Sequence, residues 1–576
     1  MTEQQTGIYG IDLGTTYSVV GYIDETGRAN VIRNNQSGDD TTPSVVYFEN
    51  EENVVVGKAA KEAAGVEPKQ VVSLIKREMG NRDYLQTFFG SEHTPPSISA
   101  IILSALAREA EQQTGSKVTD VVITVPAYFG LLEKDATRKA GEIAGLNVIG
   151  IVPEPVAAAF QYGVTGRAEG TTVLVYDLGG GTFDVSLIRL TDTAIEVLVV
   201  DGDHQLGGAD WDAKLLEHIV DQTVAACGDD SLRDDEEMLQ NLRIAAEETK
   251  KALSTAESKT QIVRYTGSPA KIVITRGQFE ELTADLLDDT IRITKRTLET
   301  AEEKYPGITK QISDVLLVGG SSKMPAVTAA LSREFGWSPK LADPDLAVAK
   351  GAALYAAGQT VRYVDPETGA VDTTAGAQSE DGDQGTSALA MPRPVTDEAV
   401  QAVADQTGLS AKNLRDLAQR TVINVLPKAV GVKLVDTDKP GWEDDIESAS
   451  YIHHLVEAQT QLPHKAEPFV ASTVVANQQE IAIEIWEQAG AAPAAELSAN
   501  HALDSSAKIT SLQTFALPAD SPVNIEMNID DEGTVNMRAF EPTSGKEVTV
   551  SVRISILSEE QVSDAKRILT GLKVST

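Results

Sequence analysis

The sequence predicts a duplicated α/β domain followed by an antiparallel β-domain. Three observations predict it. First, one pattern occurs twice: an apolar strand ends in Asp, turns through Gly and hydroxyl residues, and returns as a strand. The copies are Gly10-Ile11-Asp12-Leu13-Gly14-Thr15-Thr16-Tyr17-Ser18 and Val175-Tyr176-Asp177-Leu178-Gly179-Gly180-Gly181-Thr182-Phe183-Asp184-Val185. Second, strand and helix signals alternate over residues 7–360, as in a layered α/β protein. Third, from Val422 the apolar period falls to two, that of a half-buried strand.

The elements follow in order. Val118 to Pro126 reads as a buried strand, and Lys134 to Gly145 as a helix stopped by its glycine. Val148 to Val152 is a further strand. Pro153-Glu154-Pro155 then opens the helix Val156 to Tyr162. Glu236 to Ser254 is a charged amphipathic helix, acidic at its start and lysine-rich at its end, in line with its dipole. Strand Asp314 to Val318 runs into a third glycine turn, Gly319-Gly320-Ser321-Ser322, and then into helix Ala326 to Phe335. Asp372 to Pro394 is poor in apolar residues and reads as a flexible linker. Thr396 to Arg420 reads as two packing helices broken near Gly408-Leu409-Ser410, with Thr396 and Ser410 as N-caps. Glu480 to Trp486, Val523 to Ile529 and Val548 to Ile554 alternate as strands, with a hairpin turn at Asp531-Glu532-Gly533. Ser558-Glu559-Glu560-Gln561 is a capping box that opens one last helix.

The two corners carry the chemistry. Glycine lets the backbone approach a ligand closely, and successive N–H groups form a concavity suited to phosphate. Two Asp carboxylates beside phosphate make sense only with a cation between them, and Mg²⁺ is bound in that way. One Asp-x-Gly alone is an ordinary turn. Two copies with their Asp residues 165 positions apart, about one domain's length, read as halves closing on one polyanion.

Composition bounds the rest. The 576 residues suffice for three or four domains. A net charge of −37 argues against nucleic acid and anionic membranes as partners. Cys227 is the one cysteine, so no intramolecular disulfide forms, which fits a reducing, cytoplasmic setting. The N-terminus lacks a basic-then-apolar signal, and no apolar run reaches the length of about 20 residues that a membrane span needs.

On these corners, with Thr41-Thr42-Pro43-Ser44, Val125-Pro126-Ala127-Tyr128-Phe129, Glu154-Pro155, Leu206-Gly207-Gly208 and Val318-Gly319-Gly320-Ser321, the chain resembles the seventy-kilodalton heat-shock chaperone family. The resemblance implies an α/β actin-like ATPase domain, duplicated and with four subdomains around a cleft, followed by an antiparallel β-sandwich that holds extended apolar peptides. It implies an ATP-dependent chaperone using ATP/ADP and Mg²⁺, with K⁺ as a further ion. Its expected partners are unfolded polypeptides and a nucleotide-exchange factor. The implied divisions are a nucleotide-binding domain at 1–360, a flexible linker or insertion at 361–395, and a short helical insertion at 396–421. An interdomain linker at 422–431, a β-sandwich at 432–557 and a truncated lid helix at 558–576 complete them.

The same resemblance assigns residues. Asp12 and Asp177 hold Mg²⁺ through water. Gly14, Thr15, Thr16, Tyr17, Gly179, Gly180, Gly181, Thr182, Gly207 and Gly208 surround the phosphates. Lys76, within Leu74-Ile75-Lys76-Arg77, matches the catalytic lysine, and Glu154 and Asp184 match the acids near the attacking water. Asp177 and Thr182 complete the catalytic set. Adenosine is expected at Gly319-Gly320-Ser321, with Glu247, Lys250 and Ser254 bonding ribose and base. Lys251 and Lys323 are expected on the adenine faces, and Asp345 closes the pocket. Ile452, Phe469, Val470, Ile481 and Ile483 match the peptide pocket; the alternative, ordinary sandwich core, stays open for them.

Three departures from the family pattern stand out. Only one helix of the lid remains, which predicts fast peptide release. The apolar interdomain linker is displaced to Val422-Ile423-Asn424-Val425-Leu426-Pro427. Ile149 and Gly150 stand where a Lys-Arg pair usually holds a J-domain co-chaperone, which argues against J-domain stimulation. Two alternatives stay open: a regulatory or scaffold ATPase whose β-domain binds one dedicated partner, and a small-molecule kinase on the same fold.

Overall fold

The computed structural model describes residues 7–24, 26–35, 37–164, 170–341, 343–365, 371, 394–490, 492–509, 517–531, 533–552 and 556–576. Two large sheets repeat one topology. In the first, Asn147–Pro153, Asp120–Val125 and Tyr9–Asp12 run parallel, and Tyr17–Ile23 and Ala29–Val31 continue antiparallel. In the second, Lys340–Leu341, Ile312–Val318 and Thr171–Leu178 run parallel, and Phe183–Leu190 and Ala194–Asp203 continue antiparallel. Each Asp-Gly corner therefore joins the same two positions of its sheet, as duplication requires.

The halves meet through small residues. A Cβ on Gly10 would lie 2.3 Å from the Ala352–Ala353 backbone, and one on Gly351 would lie 1.7 Å from the Ala157 carbonyl. Helices Glu154–Val164 and Ala347–Tyr363 can thus cross in near contact beneath both sheets. Alanines 157, 158, 352, 356 and 357 fill one core there with Val175 and Ile188. Two smaller units flank the cleft. One is built on Val46–Phe48 and Asn53–Val56; the other is the hairpin Ser258–Tyr265 and Ser268–Thr275 against helices Gly208–Cys227 and Glu236–Leu253.

Helix Ala347–Tyr363 continues past the expected boundary at 360, because Val361 is fully buried in this core. The expected linker at Asp372 to Pro394 lies, but for Pro394, outside the described residues. The two capped helices are present as Asp397–Thr407 and Ala411–Gln419, with Thr396 and Ser410 accepting from the third residue beyond. Their Val400, Val403 and Leu414 join the same core as helix Ala347–Tyr363. The displaced linker is a strand, Thr421–Ile423, paired parallel with the edge strand Ala194–Asp203. It is shorter than expected: strand Val430–Val435 already begins the β-domain, where Gly431 passes within a Cβ's clash of the His453 carbonyl.

The β-domain is two facing sheets. Ser450–Val456, Val430–Val435, Ile481–Gln488 and Asn500–Ile509 form one; Phe469–Ser472, Pro522–Ile529, Val535–Glu541 and Lys546–Val552 belong to the other. Val523, Ile525, Met527 and Ile529 alternate inward, as the pleat dictates. Leu131 and Leu132, from the first domain's helix Leu131–Ile143, are buried in that same core.

The last segment departs from the expected lid helix over 558–576. Ser558 caps helix Glu559–Gly571, but Lys573–Ser575 leaves it as a strand parallel to Asn53–Val56. An open sheet edge offers backbone partners that a one-residue helical extension does not. Among the described residues no helix is long and apolar enough to cross a membrane.

Candidate functional site

Both corners open on one cavity of about 500 Å³. Their glycines are required by contact. A Cβ on Gly14 would meet the Tyr17 carbonyl at 1.9 Å; on Gly180 it would meet Thr16 Oγ1 at 1.8 Å, and on Gly181 it would meet Thr15 Cγ2 at 2.2 Å. The second corner thus lies directly against the first. Loop 179–182 is further tied to the next turn, with the Gly208 and Ala209 N–H groups donating to the Gly179 and Gly180 carbonyls at 3.0 and 2.7 Å.

Acids crowd the floor. Asp12, Asp177 and Glu154 line the cavity, and Asp184 stands opposite Asp177 on the paired strand. Thr124 Oγ1 donates to Asp12 at 2.9 Å. Asp184 Oδ1 accepts from the Ala127 and Tyr128 N–H groups at 2.8 and 3.4 Å, and its Oδ2 is buried with no partner. Burial, then the Glu154 charge, pushes the Asp12 carboxyl up to about 7. Burial and the neighbouring acids raise Asp177 and Asp184 well above the usual carboxylate range.

Lys76 is the cation among them. It sits in a 3-10 turn, Ile75–Glu78, that follows Leu74 in the left-handed region, and it is 3% exposed. That strained entry turns the lysine inward, where Nζ reaches Glu154 Oε1 at 2.5 Å and the Phe129 ring at 5.8 Å. The lysine is therefore no surface residue.

The opposite wall comes from helix Glu236–Leu253 and the third glycine turn. Glu247, Lys250, Lys251, Ser254, Gly319, Gly320, Ser321, Lys323 and Asp345 all line the cavity. Burial opposes ionisation of Glu247, but Lys61 and Lys251 outweigh it and hold the carboxyl down at about 2. Lys251 Nζ lies 4.6 Å from the Tyr17 ring centre, and Lys323 pairs with Asp345. Lys250 Nζ is bonded to Asp212 and the Gly208 carbonyl, both at 2.7 Å.

Not every expected residue faces the cavity. Gly181, Asp184, Gly207 and Gly208 stand behind its surface. Gly207 serves close loop packing, since a Cβ there would lie 2.5 Å from the Gly181 backbone. Sequence reasoning missed Asp212, an acid in Gly208-Ala209-Asp210-Trp211-Asp212 whose partner Lys250 lies 38 positions away. In the β-domain, Ile483 belongs to the sandwich core, and Ile481 and Phe469 pack against it. Ile452 is buried and Val470 is exposed. Ile452, Ile481 and Ile483 share one sheet, while Phe469 and Val470 lie on the other. His453 stacks on Phe469 with ring centres 4.4 Å apart.

Comparison with known proteins gives two findings. The family model described as Hsp70 protein matches residues 8–88 and 83–364. Two curated relatives, each named chaperone protein DnaK, come from Halobacterium salinarum strains ATCC 29341 / DSM 671 / R1 and ATCC 700922 / JCM 11081 / NRC-1. Each is 34% identical over 567 residues, covering 97% of this chain and 77% of its own.

Proposed function

The chain belongs to the Hsp70 family, with its actin-like ATPase domain and β-sandwich, and from that premise we propose that it is a chaperone that hydrolyses ATP to control its grip on unfolded apolar segments. One observation carries the reading. Asp12, Asp177 and Glu154 gather at the floor of a cavity walled by glycine–threonine corners, Asp184 stands behind them, and Lys76 is the cation paired with Glu154 there. Asp12 and Asp177, two lining carboxyls whose proton affinity is raised by burial and by neighbouring acids, suit a divalent cation held with its waters. Magnesium, when bound, supplies charge neutralisation at the phosphates.

The chain's own groups supply the rest. Asp12 and Asp177 hold the hydrated cation. Thr15, Thr16, Gly179, Gly180 and Thr182 offer hydroxyl and backbone donors to the phosphates. Lys76 stabilises charge on the transferred phosphoryl, and Glu154 and Asp184 orient the attacking water. No covalent group is required, since phosphoryl transfer rests on positioning and electrostatics. Adenosine rests against Gly319–Ser321 between Lys251 and Lys323. The β-domain takes an extended peptide by backbone hydrogen bonds, around Ile452, Ile481, Phe469 and Val470. A nucleotide-exchange factor and a cytoplasmic location follow the same reading. Ile149, buried at 2%, presents no cation to a J-domain.

Calorimetry with magnesium-ATP, and hydrolysis measured with a panel of apolar peptides, test it. Magnesium-dependent binding and stimulation by many peptides are expected. A protein that ignores magnesium-ATP overturns the reading, and stimulation by a single protein partner replaces the chaperone with a scaffold ATPase.

A further inference from the structure

We propose that Arg77 is a positioning residue for phosphoryl transfer, holding the Gly181–Thr182 peptide so that the Thr182 N–H faces the nucleotide. The inference rests on the ATP-hydrolysing reading above. Arg77 does not line the cavity, whereas Thr182 and the adjacent Lys76 do. From the 3-10 turn Ile75–Glu78 its guanidinium crosses to the loops of the second sheet. Nε donates to the Gly181 carbonyl at 2.8 Å, and Nη2 and Nη1 fork onto Asp210 Oδ2 and Oδ1 at 2.6 and 3.3 Å. Asp210 Oδ2 also accepts from the Gly207 N–H at 2.7 Å. One planar cation thus ties together a phosphate loop, the turn packed behind it and the chain that carries Lys76.

The physical argument is the peptide plane. In a trans peptide the carbonyl and the following N–H point in opposite directions. With the Gly181 oxygen fixed on Arg77, outside the cavity, the Thr182 N–H is aimed away from Arg77, to the cavity side. Gly181 cannot hold this orientation alone, because glycine has the softest backbone. Nor can it be replaced by a stiffer residue, since any Cβ would strike Thr15. The loop must be glycine to pack, and Arg77 returns the rigidity that glycine removes. Lysine has no fork that serves both a carbonyl and a carboxylate.

Arg77→Met and Arg77→Lys, with single-turnover hydrolysis and magnesium-ADP calorimetry, test this. Both variants are expected to hydrolyse about 10- to 100-fold more slowly, less than the roughly 100- to 1000-fold cost of deleting a preorganised donor, because the Thr182 N–H is misaimed rather than removed. Magnesium-ADP affinity should stay within about threefold, the split of a transition-state effect. Full recovery by Arg77→Lys overturns the inference, because charge alone then suffices. So do wild-type hydrolysis by Arg77→Met, and a parallel fall of melting temperature and ADP affinity. Should Arg77→Met not fold, Asp210→Asn keeps the shape and weakens the fork; unchanged hydrolysis there overturns the inference equally. A wild type without turnover sinks the ATPase reading itself, which separates the two failures.

Discussion

Lys76 Nζ and Glu154 Oε1 stand 2.5 Å apart at the floor of the cleft, joining a strained 3-10 turn to the start of helix Glu154–Val164. The pair sets where the lysine's charge lies before any phosphate arrives. Lys76→Ala should therefore slow single-turnover hydrolysis by about 100-fold or more, in the range of other preorganised electrostatic groups. ATP affinity should change little, since many backbone donors remain. Rates by quench-flow and affinity by calorimetry check this; unchanged turnover would remove the lysine from the chemistry.

The contact between domains contains a second buried acid with a titration of its own. Glu487 Oε1 accepts from the Leu131 N–H at 2.9 Å, and its Oε2 has no partner. Burial pushes its carboxyl up to about 7, with Glu133 adding to the rise and Lys428 and Lys134 opposing it. A carboxyl raised in the folded state keeps a proton that the unfolded chain has released, so stability falls as pH rises from the ordinary carboxylate range to about 7. Glu487→Gln keeps the acceptor for Leu131 and removes the titration. Its unfolding free energy should match wild type near pH 4 and exceed it at pH 8, by an amount on the order of 1 kcal/mol. An equal gap at both pH values would exclude Glu487 as the titrating group.

Much of this was legible in the sequence, and the misses share a cause. The corners at Asp12 and Asp177 are local patterns, so periodicity and turn chemistry found them, and Thr396 and Ser410 found their helices in the same way. What escaped depends on distant partners. Asp212 matters through Lys250, and Leu131 and Leu132 look like an ordinary helix start until the β-domain's core closes over them. The strand Lys573–Ser575 escaped because its partner, Asn53–Val56, lies some five hundred residues earlier. Ile483 shows the converse limit: an alternating strand cannot tell a core position from a peptide pocket, and here it lies in the core.

The proposed adenosine wall gives a third prediction. Lys251 and Lys323, proposed for the two adenine faces, both line the cavity, and each is held by an acid, Glu247 and Asp345. A guanidinium stacks on a π-face better than an ammonium and is less strongly hydrated. Lys323→Arg should keep the pair with Asp345 and tighten ADP binding about threefold, or roughly 0.7 kcal/mol. Calorimetry with ADP measures it, and GDP serves as the control for a gain unrelated to the adenine face. Equal or weaker ADP binding would place the base elsewhere.

The final segment fastens itself to the first domain, and that too can be measured. Lys573–Ser575 covers the open edge of Asn53–Val56, the Lys573 N–H donates to the Glu52 carbonyl at 2.7 Å, and Arg108 Nη1 donates to the Val574 carbonyl at 2.9 Å. Beneath it, Val562 and Leu569 are buried with Phe48 and Ile101. Two kinds of force act, and they separate by mutation. Leu569→Ala removes apolar contact and should cost about 2–3 kcal/mol. Ending the chain at Leu572 removes only the strand; it should leave the helix seated while amide exchange across Asn53–Val56 rises about tenfold or more, as an edge strand regains solvent. Exchange at that edge unchanged by the truncation would mean the strand pairing contributes no protection, and the helix alone would hold the segment in place.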